Sequence, residues 1–133
     1  VPLHVIEQQV LGFTHCETGQ MLCEHWGLSK ELVEAARCHH DVSLLPAAGP
    51  LACLVHLSNL LCRVRYLGYG YDEVIGVDLG GDAAWQILVT AFPALESMDL
   101  VRFTLDIDGA MDQIVETVDS VFGVKTIAAP ATS

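Results

Sequence analysis

The spacing of stop and start signals in the first forty residues limits what this chain can become. Pro2 suits the first turn of a helix, and the apolar periodicity of "HVIEQQVL" follows until Gly12 stops it. Thr14 is placed to cap a second helix, with Glu17 three residues on completing a capping box. That helix runs to Trp26 and ends at Gly27. Ser29 is placed to cap a third, "KELVEAARCHH", whose early acidic residues suit the helix dipole. After the break "PAAGP", a fourth helix is expected from about Leu51 to Leu67, ending in the glycine-rich turn "GYGYDE". "DLGGDAAW" reads as a turn and helix cap, with Asp82 capping "DAAWQILVTAF". Pro93 can open another helix, and "AMDQIVETVDSVF" is amphipathic, with Ile114, Val118 and Val121 on one stripe. "DEVIGVDL" allows a short strand, and "KTIAAPATS" reads as a loose tail. The predicted class is all-α, with a domain over residues 1–125 and a tail over 126–133.

A chain of 133 residues suffices for one domain with one core. Hydrophobic residues make up 52% of it, and the mean hydropathy is +0.44. No run approaches the ~18 apolar residues of a membrane span. The longest, "LACLVHLSNLLC", is broken by His56, Ser58 and Asn59. No basic segment precedes an apolar core as in a secretion signal. The excess apolar surface is therefore expected to meet protein, as a second copy or as the rest of the domain. A net charge of −11 with six Lys and Arg argues against nucleic acid and against cationic membrane binding. Five cysteines without a C-x-x-C pair lie in apolar, helix-like segments. Reduced core thiols in a cytoplasmic protein are expected, rather than disulfides or a thiolate zinc site.

Helix geometry brings several polar residues toward one region. His15, Gly19, Leu22 and Trp26 share a stripe of the second helix, so His15 is expected to point inward or to the margin of that face, with Gly19 permitting close approach of another backbone. His39 and His40 prolong the apolar face of the third helix. Ala52, His56, Asn59 and Arg63 form a narrow row on the fourth. A metal needs three or four converging ligands, and His15, His39, His40 and either His56 or Asn59 can supply them. Hydrogen-bonded core histidines, or a pair favoured by the helix dipole, explain the same spacing. "DIDGAMDQIVE" is not a calcium loop: Gly109 falls fourth instead of sixth, and the twelfth residue is Thr117. "LGYGYDE" lacks the helix and lysine of a phosphate loop, and no Ser or Cys has a nucleophile's local context.

The ordered set Glu7, Leu11-Gly12, His15, Gly19, "WGL", the terminal "HH" and "HLSN" is similar to the HDOD family, over about residues 5–73. That family is the output-domain branch of the HD phosphohydrolase superfamily. The resemblance implies an HD-like helical bundle and a signalling module acting through protein contacts. In related HD-GYP phosphodiesterases, the equivalents of His15, His39 and His40 bind metal ions that activate water against a phosphodiester. Carried over, the candidate ligands are His15, His39, His40 and Asn59, for iron, manganese or zinc. Catalytic members usually carry an aspartate at the Asn59 position. An amide adds no negative charge, so weak or absent binding and a softer metal are expected. The resemblance places the superfamily's His–Asp dyad upstream of His15. Asp41 is then a turn residue, no residue of this chain is assigned to catalysis, and the chain is expected to be the C-terminal portion of a domain. Its partners are expected to be signalling proteins, a second copy or the remaining N-terminal half. The alternative is a metal-dependent phosphohydrolase with further ligands in that half, and a plain structural half-domain stands third.

Overall fold

Two glycines in the left-handed region form the joints between the first three helices. Gly12 (φ 79°) follows α1 (Leu3–Leu11), and Gly27 (φ 65°) follows α2 (His15–His25). A Cβ strains this backbone conformation, so both joints favour glycine. Between them the capping box forms as expected. The Thr14 hydroxyl accepts from the Glu17 N–H at 3.3 Å, and the Glu17 carboxylate accepts from the Thr14 N–H at 2.7 Å. These and the other helices come from a computed structural model that describes residues 1–44, 49–65, 67 and 77–123.

Several boundaries differ from the expected ones. α3 (Lys30–Cys38) follows Ser29, whose side chain makes no cap bond. His39 is its C-cap, so the histidine pair sits at and beyond the helix end. α4 (Pro50–Val64) stops before Arg65, short of the expected Leu67. α5 (Ala83–Ala91) starts as predicted: Asp82 accepts from the Ala84 N–H at 2.8 Å, after a turn in which Asp78 accepts from the Gly81 N–H at 3.1 Å. Pro93 opens only a 3-10 turn, Pro93–Ser97. α6 (Leu100–Phe122) has 23 residues and runs straight through "DIDGAMDQIVE". The residues of "GYGYDE", most of "DEVIGVDL" and the predicted tail lie outside the described residues. Every regular element among the described residues is helical.

The helices pack in chain order, α2 on α3, α3 on α4 and α4 on α5. The main core gathers Val42, Cys53, Leu57, Leu79, Ala84 and Leu88, with Leu100 and Phe103 of α6 against it. Cys16, Ala35 and Cys38 are buried where α2 and α3 meet. All five cysteines are free thiols, three of them buried. One expectation fails here. Leu22 and Trp26 are exposed, so the α2 stripe is not a core stripe. What faces inward is Cys16, together with Gly19 opposite Ala36. A Cβ on Gly19 would lie 3.5 Å from the Ala36 Cβ, an ordinary contact that does not require glycine. No helix among the described residues is long and apolar enough to cross a membrane.

Candidate metal centre

The turn at Gly12 folds α1 back so that Glu7 reaches the start of α2. Glu7 Oε2 accepts from the His15 backbone N–H at 3.0 Å and from its ring Nδ1–H at 2.6 Å. The backbone bond, more than the ring bond and the charges of His15 and His4, holds the Glu7 carboxyl below its ordinary range, against an opposing desolvation cost. An ionised carboxylate only accepts, so His15 donates from Nδ1, and in the neutral ring the lone pair is on Nε2. His39 is fixed the same way. Its Nδ1–H donates to the carbonyls of Ala36 at 2.9 Å and Ala35 at 3.3 Å, leaving a lone pair on Nε2.

The three Nε2 atoms converge. His15 Nε2 lies 3.2 Å from His39 Nε2 and 2.9 Å from His40 Nε2. Two lone pairs at such a distance repel unless a proton or a cation lies between them. Nitrogens bound to one transition metal at ~2.0–2.1 Å stand roughly 2.9–3.4 Å apart, for octahedral to tetrahedral angles. The observed separations fit that range. Burial first pushes the His39 ring below its ordinary value, and burial followed by the charges of His39, His4, His15 and Arg63 takes His40 down to about 3. Both are therefore neutral near pH 7, the form that ligates metals.

Cys16 completes the cluster. Its Sγ lies 3.6 Å from His15 Nε2 and 4.0 Å from His39 Nε2, and the four donor atoms fall within 4.8 Å of one another. Burial, with the Glu7 charge next among the upward causes, pushes its thiol up to about 11.

The other candidates stand around this group. Asn59 lies behind His40, its amide nitrogen 3.4 Å from Nδ1, on the far side from the converging Nε2 atoms. Turning that amide exchanges a donor for an acceptor, so Asn59 can serve either tautomer of His40. His4 stacks on the other side, with ring centroids 4.7 Å apart, and its own Nδ1 is buried without a hydrogen-bond partner among the described residues. His56 is turned away. Its Nδ1–H donates to the His39 carbonyl at 2.9 Å, and its Nε2 faces Asp82 Oδ2 at 3.2 Å. Asp41 accepts from the Ser43 N–H at 2.9 Å and hydroxyl at 2.5 Å, so it is a turn residue. His4 escapes sequence reasoning, and Asp82 is read there only as a helix cap, not as the partner of His56. Glu7 is visible only as part of the family pattern, and Cys16 only as one more apolar-segment thiol.

An all-helical bundle that closes a histidine cluster between two helix ends defines a class: a helical domain with a metal-type donor site. Residues 1–42 match the family model of the HDOD domain, so the HDOD recognition is borne out, over a shorter stretch than the 5–73 expected. The chain is also similar in fold to the crystal structure of an HDOD domain protein with unknown function from Geobacter sulfurreducens. The TM-score is 0.79 at 20% identity, covering 93% of this chain and 43% of that one. This chain thus spans less than half the length of that structure. No curated relative matches.

Proposed function

We propose that this chain is a regulatory output module of HDOD type, whose histidine cluster holds a divalent transition metal and which acts on other proteins by contact. One observation carries the metal: Nε2 of His15 and Nε2 of His39 face each other at 3.2 Å, each ring held by a partner on its other nitrogen. His15, His39 and His40 would hold the ion, with Asn59 behind His40, and iron, manganese and zinc all accept imidazole. The non-catalytic reading rests on how the nearby carboxylates are used. Glu7 is bound to His15, Asp82 to His56 and the α5 start, and Asp41 to Ser43. Action by contact is supported by large apolar side chains left exposed, including Val10, Phe13 and Trp26 on and beside the first two helices and Val121 and Phe122 at the C-terminal end of α6. Signalling proteins, a second copy or further chain of the same domain can cover them. The free thiols fit a reducing, cytoplasmic setting, and the net charge of −11 speaks against nucleic acid as partner.

A metal-dependent phosphohydrolase is the second reading. Three protein ligands with room for water are the pattern of catalytic metal sites, and a bound ion there would supply an activated water. Protein purified without chelator should carry stoichiometric transition metal, lost in His39→Ala. Its absence would overturn the metal site. Manganese-dependent hydrolysis of a generic phosphodiester, abolished in His39→Ala, would overturn the non-catalytic reading.

A further inference from the structure

We propose that Cys16 is the anionic ligand of this centre, making it a three-imidazole, one-thiolate site selective for thiophilic tetrahedral metals of the zinc and cobalt type. The inference rests on the metal reading above and adds the identity of the missing charge. Three neutral imidazoles leave both positive charges of a divalent ion uncompensated. Among the described residues no Asp or Glu belongs to the converging donor group. Cys16 does belong to it, and among the described residues no other cysteine does.

The geometry supports the assignment. Metal bonds of ~2.3 Å to sulfur and ~2.0–2.1 Å to nitrogen put tetrahedral neighbours roughly 3.5–3.6 Å apart. Cys16 Sγ meets that separation at His15 Nε2, 3.6 Å away, and must close in from 4.0 Å at His39 Nε2. Cys16 and His15 are consecutive residues of the first turn of α2, and the Thr14–Glu17 capping box fixes that turn. The two donors are therefore preorganised together, with His39 and His40 closing from the end of α3. Cys16 is only 8% exposed, so the donor is shielded from bulk water, and a metal binding there must displace the thiol proton. Thiolate ligation would select zinc or cobalt over magnesium and manganese, which prefer oxygen donors.

Cobalt(II) titrated into the reduced, full chain tests this directly. Wild type should develop the intense visible bands of tetrahedral cobalt together with a near-ultraviolet thiolate-to-cobalt band. Cys16→Ala should lose the thiolate band and weaken zinc binding by at least about 100-fold, beyond the ~10–100-fold that loss of an outer partner costs. Cys53→Ala, at a buried thiol outside the cluster, should keep both. Bound cobalt without a thiolate band in wild type would overturn the Cys16 assignment while leaving the imidazole centre standing. So would a band that persists in Cys16→Ala. If wild type binds no cobalt, both readings fail. The wild-type band decides the matter even if Cys16→Ala does not fold.

Discussion

Glu7 grips His15 twice, at the backbone N–H and at the ring, and so sets which ring nitrogen is free. Replacing it by glutamine keeps the size and removes the charge. Glu7→Gln should lower zinc affinity ~10–100-fold, with far-ultraviolet circular dichroism unchanged, when measured by isothermal titration calorimetry. Protons compete for the same nitrogens. His39 and His40 have folded pKa values below their unfolded ones, so below pH ~6.5 the unfolded chain binds more protons than the folded one. The stability of metal-free protein should be full above that pH. It should fall as the pH drops from there toward about 3, the folded value of His40, which thermal unfolding in chelator will follow. At this scale the sequence exposes His15, His39 and His40, because helix phase and the family pattern agree on them. It hides the hold of Glu7, because eight residues and a left-handed glycine separate it from His15. It also hides Cys16, whose neighbours in sequence are those of any core thiol.

Glycine means different things in different elements. Gly27 ends α2 at φ 65°, whereas Gly19 lies within α2 with room for a methyl group beside Ala36. Gly27→Ala should therefore destabilise by about 1 kcal/mol or more, and Gly19→Ala should stabilise by about 0.5 kcal/mol. Chemical denaturation reads both, and equal signs would contradict the packing described. The element order was largely legible, since caps and stops are local chemistry: Thr14, Asp82, Gly12 and Gly27 all act within a few residues. The first half of α6 was not. "LDIDG" has low helix propensity at Gly109 and too few apolar residues to show its period. What holds it helical is the Asp99 cap and the packing of Leu100 and Phe103 on the core, neither of which is a local signal. Likewise, Leu22 and Trp26 have the composition of a core stripe, and only the tertiary arrangement leaves them in solvent.

Across the whole molecule, one apolar stripe of α6 leads two lives. Leu100, Phe103, Ile107 and Met111 face the body of the protein, and Met111 is 4% exposed. The same stripe continues through Ile114 and Val118 to Val121 and Phe122, which are 68% and 72% exposed. Met111→Ala should cost about 2–5 kcal/mol, and Val118→Asp with Val121→Asp should change monomer stability by under ~0.5 kcal/mol each. If that overhang is a contact surface, the double variant should also reduce association in sedimentation velocity. The apolar excess in the composition is thus accounted for as surface, which amino-acid counts could foretell but not locate.

His56 has a further consequence. It ties the His39 carbonyl to Asp82, and Asp82 in turn holds the Ala84 amide at the first turn of α5. A ring that shifts at the histidine cluster pulls on a linkage ending in the second half of the chain. His56→Ala should therefore speed hydrogen exchange at the Ala84 amide, because Asp82 loses the partner that holds it in place.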